Sequence, residues 1–184
     1  MLFRSVSATG TGKTMIAAFD YARVCKKIGY KPPFLFVAHR EEILRQAMAT
    51  FRGVLRDQNF GDILIGSTSP AQETHLFCSI QSYNSQELVK LAADSFGYVV
   101  IDEFHHAAAP SYRQLLEHVR PQILLALTAT PERTDQLDIL HWFGGRTSAE
   151  IRLPDAINRR LLCPFQYFGI SDSVDLDGLT WQRG

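Results

Sequence analysis

The chain is short of several things, and each shortage removes a class of explanation. It has no apolar run approaching the ~20 residues that a membrane-spanning helix needs. Its first residues lack the charged-then-apolar order of a secretory leader, so no membrane partner and a cytoplasmic setting are expected. Only three cysteines occur in 184 residues, and Cys25, Cys78 and Cys163 stand far apart without C-x-x-C spacing. They read as reduced, mostly buried thiols rather than a disulfide or zinc framework. A surplus of one charge is missing too: 19 basic and 19 acidic residues leave a formal net charge of +0. That speaks against a dedicated nucleic-acid-binding module, which is usually basic, but not against a machine that grips a phosphate backbone with a few groups. There is no internal repeat, low-complexity tract or interdomain linker.

What is present is a hydrophobic content of 46% with 21% charged residues, suited to one globular domain with a proper core. Near its start lies Ser7-Ala8-Thr9-Gly10-Thr11-Gly12-Lys13-Thr14. Gly10 and Gly12 remove side chains that would keep backbone N–H groups away from an anion. Lys13 offers a mobile positive charge, and the Thr14 hydroxyl can ligate Mg²⁺. A short, partly apolar strand is expected before the loop, over 2–6. A helix is expected after it, over 15–28, with Ile16, Phe19, Ala22 and Ile28 roughly on one face. Strand, glycine loop and helix form the setting in which a helix N-terminus binds phosphate. Ser7 stands where the strict G-x-x-x-x-G-K-[ST] pattern has its first glycine, and a plain glycine-rich turn is the alternative.

Further along, Phe34-Leu35-Phe36-Val37-Ala38, Tyr98-Val99-Val100-Ile101 and Ile123-Leu124-Leu125-Ala126-Leu127 are unbroken apolar runs, typical of parallel strands covered on both faces. Shorter strands are expected at 63–65, 75–80, 150–153 and 165–170. Helices are expected at 41–55, 86–93, 111–119, 135–143 and, as a short piece, 155–162. The alternation implies an α/β domain whose mainly parallel sheet is sandwiched by helices.

In such sheets ligands gather at the carboxyl ends of strands, and four polar clusters fall there. They are Thr9–Thr14, His39-Arg40-Glu41, Asp102-Glu103-Phe104-His105-His106 and Thr128-Ala129-Thr130. A carboxylate at the tip of an apolar strand, as at Asp102, is costly unless it meets a cation such as nucleotide-bound Mg²⁺. Glu103 is then placed to polarise an attacking water. A strand-end carboxylate that merely caps the next helix is the alternative. His105 and His106 do not make a zinc site, because adjacent histidines diverge and no other ligand cluster lies at suitable spacing. His105 could hydrogen-bond toward the turn at Thr128–Thr130. The calcium-loop look of Asp175-Leu176-Asp177-Gly178 fails, because Gly184 falls where the closing Glu is needed.

Motif for motif the chain resembles the first RecA-like domain of a superfamily-two helicase of the DEAD/DEAH type. Ala8–Thr14 is similar to motif I and Val37–Leu44 to motif Ia. Ser79-Ile80-Gln81-Ser82 resembles motif Ic, Ile101–His106 a DExH-type motif II, and Leu127–Arg133 motif III. The nearest branch by resemblance holds type III restriction subunits and bacterial repair-type helicases, some with an upstream nuclease domain. The resemblance implies a RecA-like P-loop NTPase fold over 1–170, with 171–184 leading out of it. It implies ATP and Mg²⁺ as cofactors, with Thr9, Gly10, Thr11, Gly12, Lys13 and Thr14 on the phosphates. Thr14 and Asp102 would hold Mg²⁺, and Glu103 would be the hydrolytic base beside Lys13 and Asp102. His105, Thr128 and Thr130 would couple nucleotide state to strand movement, while Arg40 and Gln81 would lie along the nucleic-acid path. The implied partners are nucleic acid, DNA before RNA, and a second RecA-like domain, which nothing in the chain matches. A truncated motor domain, weak on its own, is therefore the expectation. A restriction-type motor, an RNA helicase domain, an unrelated P-loop NTPase and a non-catalytic module are the competing readings, the last opposed by the intact Asp102-Glu103 pair.

Overall fold

A computed structural model describes residues 2–7, 12–66, 70–85, 88–104, 109–128, 149–151, 158 and 160. Its strands are β1 (Leu2–Ser7), β2 (Phe34–Ala38), β3 (Asp62–Leu64), β4 (His75–Ser79), β5 (Tyr98–Ile101), β6 (Ile123–Thr128) and β7 (Ala149–Ile151). Its helices are α1 (Lys13–Ile28), α2 (Glu41–Leu55), α3 (Ile80–Ser85) and α4 (Pro110–His118), with one 3₁₀ turn at Leu88–Lys90. No helix among the described residues is long and apolar enough to cross a membrane.

The strands form one sheet in the order β3-β4-β2-β5-β6-β1-β7, and every pairing is parallel. Because successive side chains on a strand face opposite sides, each central strand feeds two cores. Phe34, Phe36, Phe77, Tyr98, Val100, Leu125 and Leu127 pack with α1 and α2. Leu35, Val37, Leu76, Cys78, Val99, Ile101, Leu124 and Ala126 pack with α3 and α4. The faces differ in kind. The α1–α2 side is aromatic, with Tyr21 and Phe34 rings 4.8 Å apart and Phe34 and Phe51 likewise 4.8 Å apart. The α3–α4 side is largely aliphatic. Full burial on both sides explains why the strongest strands read as unbroken apolar runs.

The expected ranges of β2, α2 and β5 match the structure; the expected strands at 2–6, 75–80 and 123–127 differ by a residue at one end, and that at 63–65 is shifted by one at both. α4 begins at Pro110, whose missing N–H is unneeded at the first helical position.

Two expectations were wrong. The face of α1 that meets the sheet carries Ala17, Ala18 and Tyr21, all fully buried, whereas Ile16, Phe19 and Ile28 are 45%, 60% and 39% exposed. Small alanines let the helix backbone approach the strands, and Tyr21 fills the aromatic core while donating to the Pro32 carbonyl at 2.8 Å.

The second concerns the helix after β4, expected at 86–93. It starts at Ile80, because Ser79 acts as its cap: the Ser82 N–H donates to Ser79 Oγ at 3.1 Å. The Leu88–Lys90 turn is all the helical structure described between 86 and 93. The 150–153 strand is β7, seen at Ala149–Ile151 beside β1. The expected elements at 135–143 and 165–170 lie outside the described residues, as does nearly all of that at 155–162.

Candidate functional site

The strand order lines up the carboxyl-end clusters in a row. Gln81 follows β4, His39 and Arg40 follow β2, Asp102 and Glu103 follow β5, Thr128 ends β6, and the glycine loop follows β1. Neighbouring strands lie about 4.8 Å apart, so the row extends roughly 19 Å along one edge of the sheet. Residues far apart in sequence thus meet because their strands are neighbours.

At the β1 end, Gly12 precedes α1 with φ 80°, in the left-handed region that favours glycine. A Cβ there would meet nothing closer than 3.8 Å, so the backbone angle rather than crowding calls for glycine. Its carbonyl accepts from the Ile16 N–H at 3.0 Å, starting the helix directly at Lys13. Burial pushes the Lys13 ammonium below the usual lysine range, and the charges of Asp102 and Glu103 pull it back up. Lys13 therefore sits in the field of both carboxylates, and Thr14 beside it is half-buried.

Asp102 is 7% exposed. Its N–H donates to the Val37 carbonyl at 2.9 Å, extending the β2–β5 ladder one residue beyond β5. Burial raises its carboxyl above the ordinary range, opposed by the Glu103 N–H, which donates to Oδ1 at 2.8 Å, and by Lys13. Glu103 is itself left-handed, with φ 51°, which costs a non-glycine residue roughly 1–2 kcal/mol. Strain of that kind gathers at functional turns. Here it swings the chain off the strand axis directly after Asp102. Thr128 is fully buried at the end of β6, the strand that separates β5 from β1, and pairs in register with Val6.

At the other end of the row the Gln81 amide nitrogen lies 3.0 Å from His39 Nδ1. An amide nitrogen donates only, so Nδ1 accepts. Arg40 is the extended residue that opens α2, and its side chain is exposed, as is that of Gln81. The Ser79-Ile80-Gln81-Ser82 motif explains how Gln81 is held. Ser79 donates its hydroxyl to Ser82 Oγ at 2.8 Å, and that oxygen accepts from the Gly66 N–H at 2.7 Å. Both serines are buried structural clamps, leaving Gln81 to face outward.

The structure thus places Lys13 within the electrostatic reach of Asp102 and Glu103 and sets Gln81 beside His39. Thr9, Gly10, Thr11, His105 and Thr130 lie outside the described residues. Site reasoning from sequence missed two residues. His39 was named in the polar cluster after β2 but given no role. Tyr112, which senses the charges of Glu103 and Asp102, had no sequence signal beyond its place in the helix after the DExH-like run.

Residues 3–133 match the family described as type III restriction enzyme, res subunit. The chain belongs to this family. Among relatives of the res-subunit domain, it is 30% identical to the type I restriction enzyme EcoAI endonuclease subunit of Escherichia coli, over 97% of the chain and 23% of that protein. It is 38% identical to the RNA polymerase-associated protein RapA of Yersinia enterocolitica over 52% of the chain and 11% of RapA. The fold is similar to that of the Pyrococcus furiosus Hef helicase domain, with TM-score 0.63 and 22% identity over 85% of this chain and 36% of that one. The chain therefore spans about a quarter or less of the two curated relatives.

Proposed function

We propose that this res-subunit domain is the ATP-binding motor domain of a helicase or translocase acting on DNA. The observation that supports it most is the placing of Lys13 within the electrostatic reach of Asp102 and Glu103 at the ends of β1 and β5, on either side of the β6 end where Thr128 is buried. A lysine opposite a strand-end carboxylate pair is the charge arrangement that nucleotide phosphates and a divalent cation require. In this reading the loop from Thr9 through Gly10, Thr11 and Gly12 wraps the phosphates, with Lys13 on the terminal ones. The Thr14 hydroxyl and an Asp102 oxygen suit Mg²⁺, which favours hard oxygen donors and few protein ligands. The buried Asp102 carboxyl fits that role because its charge is costly without a cation. Bound Mg²⁺ neutralises phosphate charge as it develops. Glu103 takes the proton from the attacking water, and His105, Thr128 and Thr130 couple nucleotide state to strand movement.

Arg40 and Gln81, exposed on the same edge, hold the backbone of a strand rather than its bases. A second RecA-like domain and an upstream nuclease are the partners this reading anticipates, in a cytoplasmic setting. The motor part of a restriction-type subunit is the alternative, equally consistent with the 30% identity to the EcoAI endonuclease subunit.

The direct test is titration of a fluorescent ATP analogue into the chain with and without Mg²⁺. Magnesium-dependent binding that Lys13→Ala abolishes is the expected result. Equal binding by the variant, or none by the wild type, overturns the proposal.

A further inference from the structure

The helix that carries Gln81, α3, is six residues long, too short to hold its own orientation in water. What aims Gln81 is therefore the set of bonds that fasten this helix to its surroundings. The second half of α3 is fastened to α4. Tyr83 Oη lies 2.7 Å from His118 Nδ1, and Asn84 Nδ2 donates to the Ser111 carbonyl at 3.5 Å. The first turn is fastened by Ser82, which is 2% exposed. Its Oγ accepts from the Ser79 hydroxyl at 2.8 Å and from the Gly66 N–H at 2.7 Å. In a capping box the side chain at this third helical position bonds back to the backbone of the cap residue. Ser82 instead reaches a backbone 16 positions away. Gly66 has φ 61° where the chain leaves β3, so the bond joins the turn at the end of β3 to the start of α3.

Gln81 carries the brace one strand further. Its amide nitrogen donates to His39 Nδ1 at 3.0 Å, at the end of β2. Because β3, β4 and β2 are neighbours in the sheet, the two bonds tie three consecutive strand ends together along the functional edge. An amide nitrogen has two hydrogens, and with one on His39 the other can donate to a phosphodiester oxygen. A long side chain that is held beforehand loses less freedom when it meets its ligand, so the contact contributes more. Neither Ser82 nor Gln81 is charged, so the brace supplies geometry rather than counterion release.

We propose that Ser82 is a positioning residue for strand binding: by pinning Gly66 against the first turn of α3, it holds Gln81 aimed at the nucleic-acid backbone. The inference rests on the motor-domain reading above and adds a buried residue, itself out of reach of the strand, that sets the quality of the contact.

The test is fluorescence anisotropy of a labelled single-stranded oligodeoxynucleotide titrated with the full chain carrying Ser82→Ala. The dissociation constant is expected to rise about fivefold, the worth of one well-placed hydrogen bond. The slope of affinity against salt stays that of the wild type, because no charge is lost. Affinity for a fluorescent Mg·ATP analogue is also unchanged, because the glycine loop and Asp102 follow other strands. In a Gln81→Ala background, Ser82→Ala still lowers the melting temperature but weakens strand binding no further. An affinity equal to wild type overturns the inference. So does a loss that persists in the Gln81→Ala background, or one matched by weaker Mg·ATP binding, since either marks general loosening. If Ser82→Ala melts below the working temperature, Ser82→Cys, which fills the same space with a weaker acceptor, goes through the same cycle. Wild-type chain that binds Mg·ATP but no oligonucleotide refutes this inference together with the nucleic-acid half of the reading. Strand binding without Mg·ATP binding refutes the nucleotide half and leaves Ser82 to be judged by its own cycle.

Discussion

Glu103 carries a tension that makes it testable by itself. Its left-handed backbone costs stability, and its carboxylate shares the field around Lys13 with Asp102. Glu103→Gln keeps the shape and removes the ionisable carboxylate, so on the proposed motor-domain reading Mg·ATP binding should persist while hydrolysis falls roughly 100-fold or more. Glu103→Gly should be equally inactive yet melt no lower than wild type, because glycine adopts φ 51° without penalty. A clear loss of stability in the glycine variant would mean that the side chain holds the turn. The main features of this site were readable in the sequence because each residue sits where a strand's hydrophobic run stops. Asp102 follows four apolar residues, and Lys13 follows a glycine loop. What could not be read was the partner of Gln81. His39 lies 42 positions away, and their contact exists only because β2 and β4 are neighbours.

Among the elements, α3 depends on its cap. Ser79→Ala removes the acceptor for the Ser82 N–H and the donor to Ser82 Oγ, which should cost about 1 kcal/mol in a denaturation titration. The same variant should bind single strands less tightly, because Gln81 sits in the first turn of the helix that has lost its cap. Just before β3, Gly61 has φ 73°, and a Cβ there would lie 2.6 Å from a ring carbon of the fully buried Phe77 in β4. Gly61→Ala should therefore destabilise by roughly 1–3 kcal/mol, measured the same way. His75, at the start of β4, supplies a pH dependence. Burial holds its imidazole below the ordinary 6.5, so the unfolded chain takes up the proton first as pH falls. Stability is then full above about pH 6.5 and is lost as the pH drops below it. His75→Gln should flatten that slope in melts across the range. Elements were readable where hydrophobic runs or caps mark them, as in β2, α2 and β5. The buried face of α1 was not, because alanine scores weakly as a hydrophobe yet is what allows close packing.

At the scale of the molecule, two cores share one sheet, and Cys78 sits fully buried in the aliphatic one. Burial pushes its thiol up to about 12, so almost none of it is thiolate at neutral pH. Labelling of Cys78 by a thiol reagent, followed by peptide mapping, should therefore track global unfolding in denaturant, while the half-buried Cys25 reacts at lower concentrations. Coincident labelling of both would show that the sheet opens as one piece. The α/β fold class with a mainly parallel sheet was visible in the alternation of elements, but the order of the strands was not, because no local signal states which strand lies beside which. That order also sets the timing of assembly on a ribosome. β1 leads into the glycine loop and is synthesised first, yet its neighbour on one side is β6, with Leu2 opposite Leu124. At about 5–20 residues per second, Leu2 waits on the order of ten seconds for that partner to be made. Until then the glycine loop has no framed strand behind it and Lys13 has no Asp102 to face. On the proposed reading, nucleotide therefore meets a domain that has already closed rather than a nascent chain.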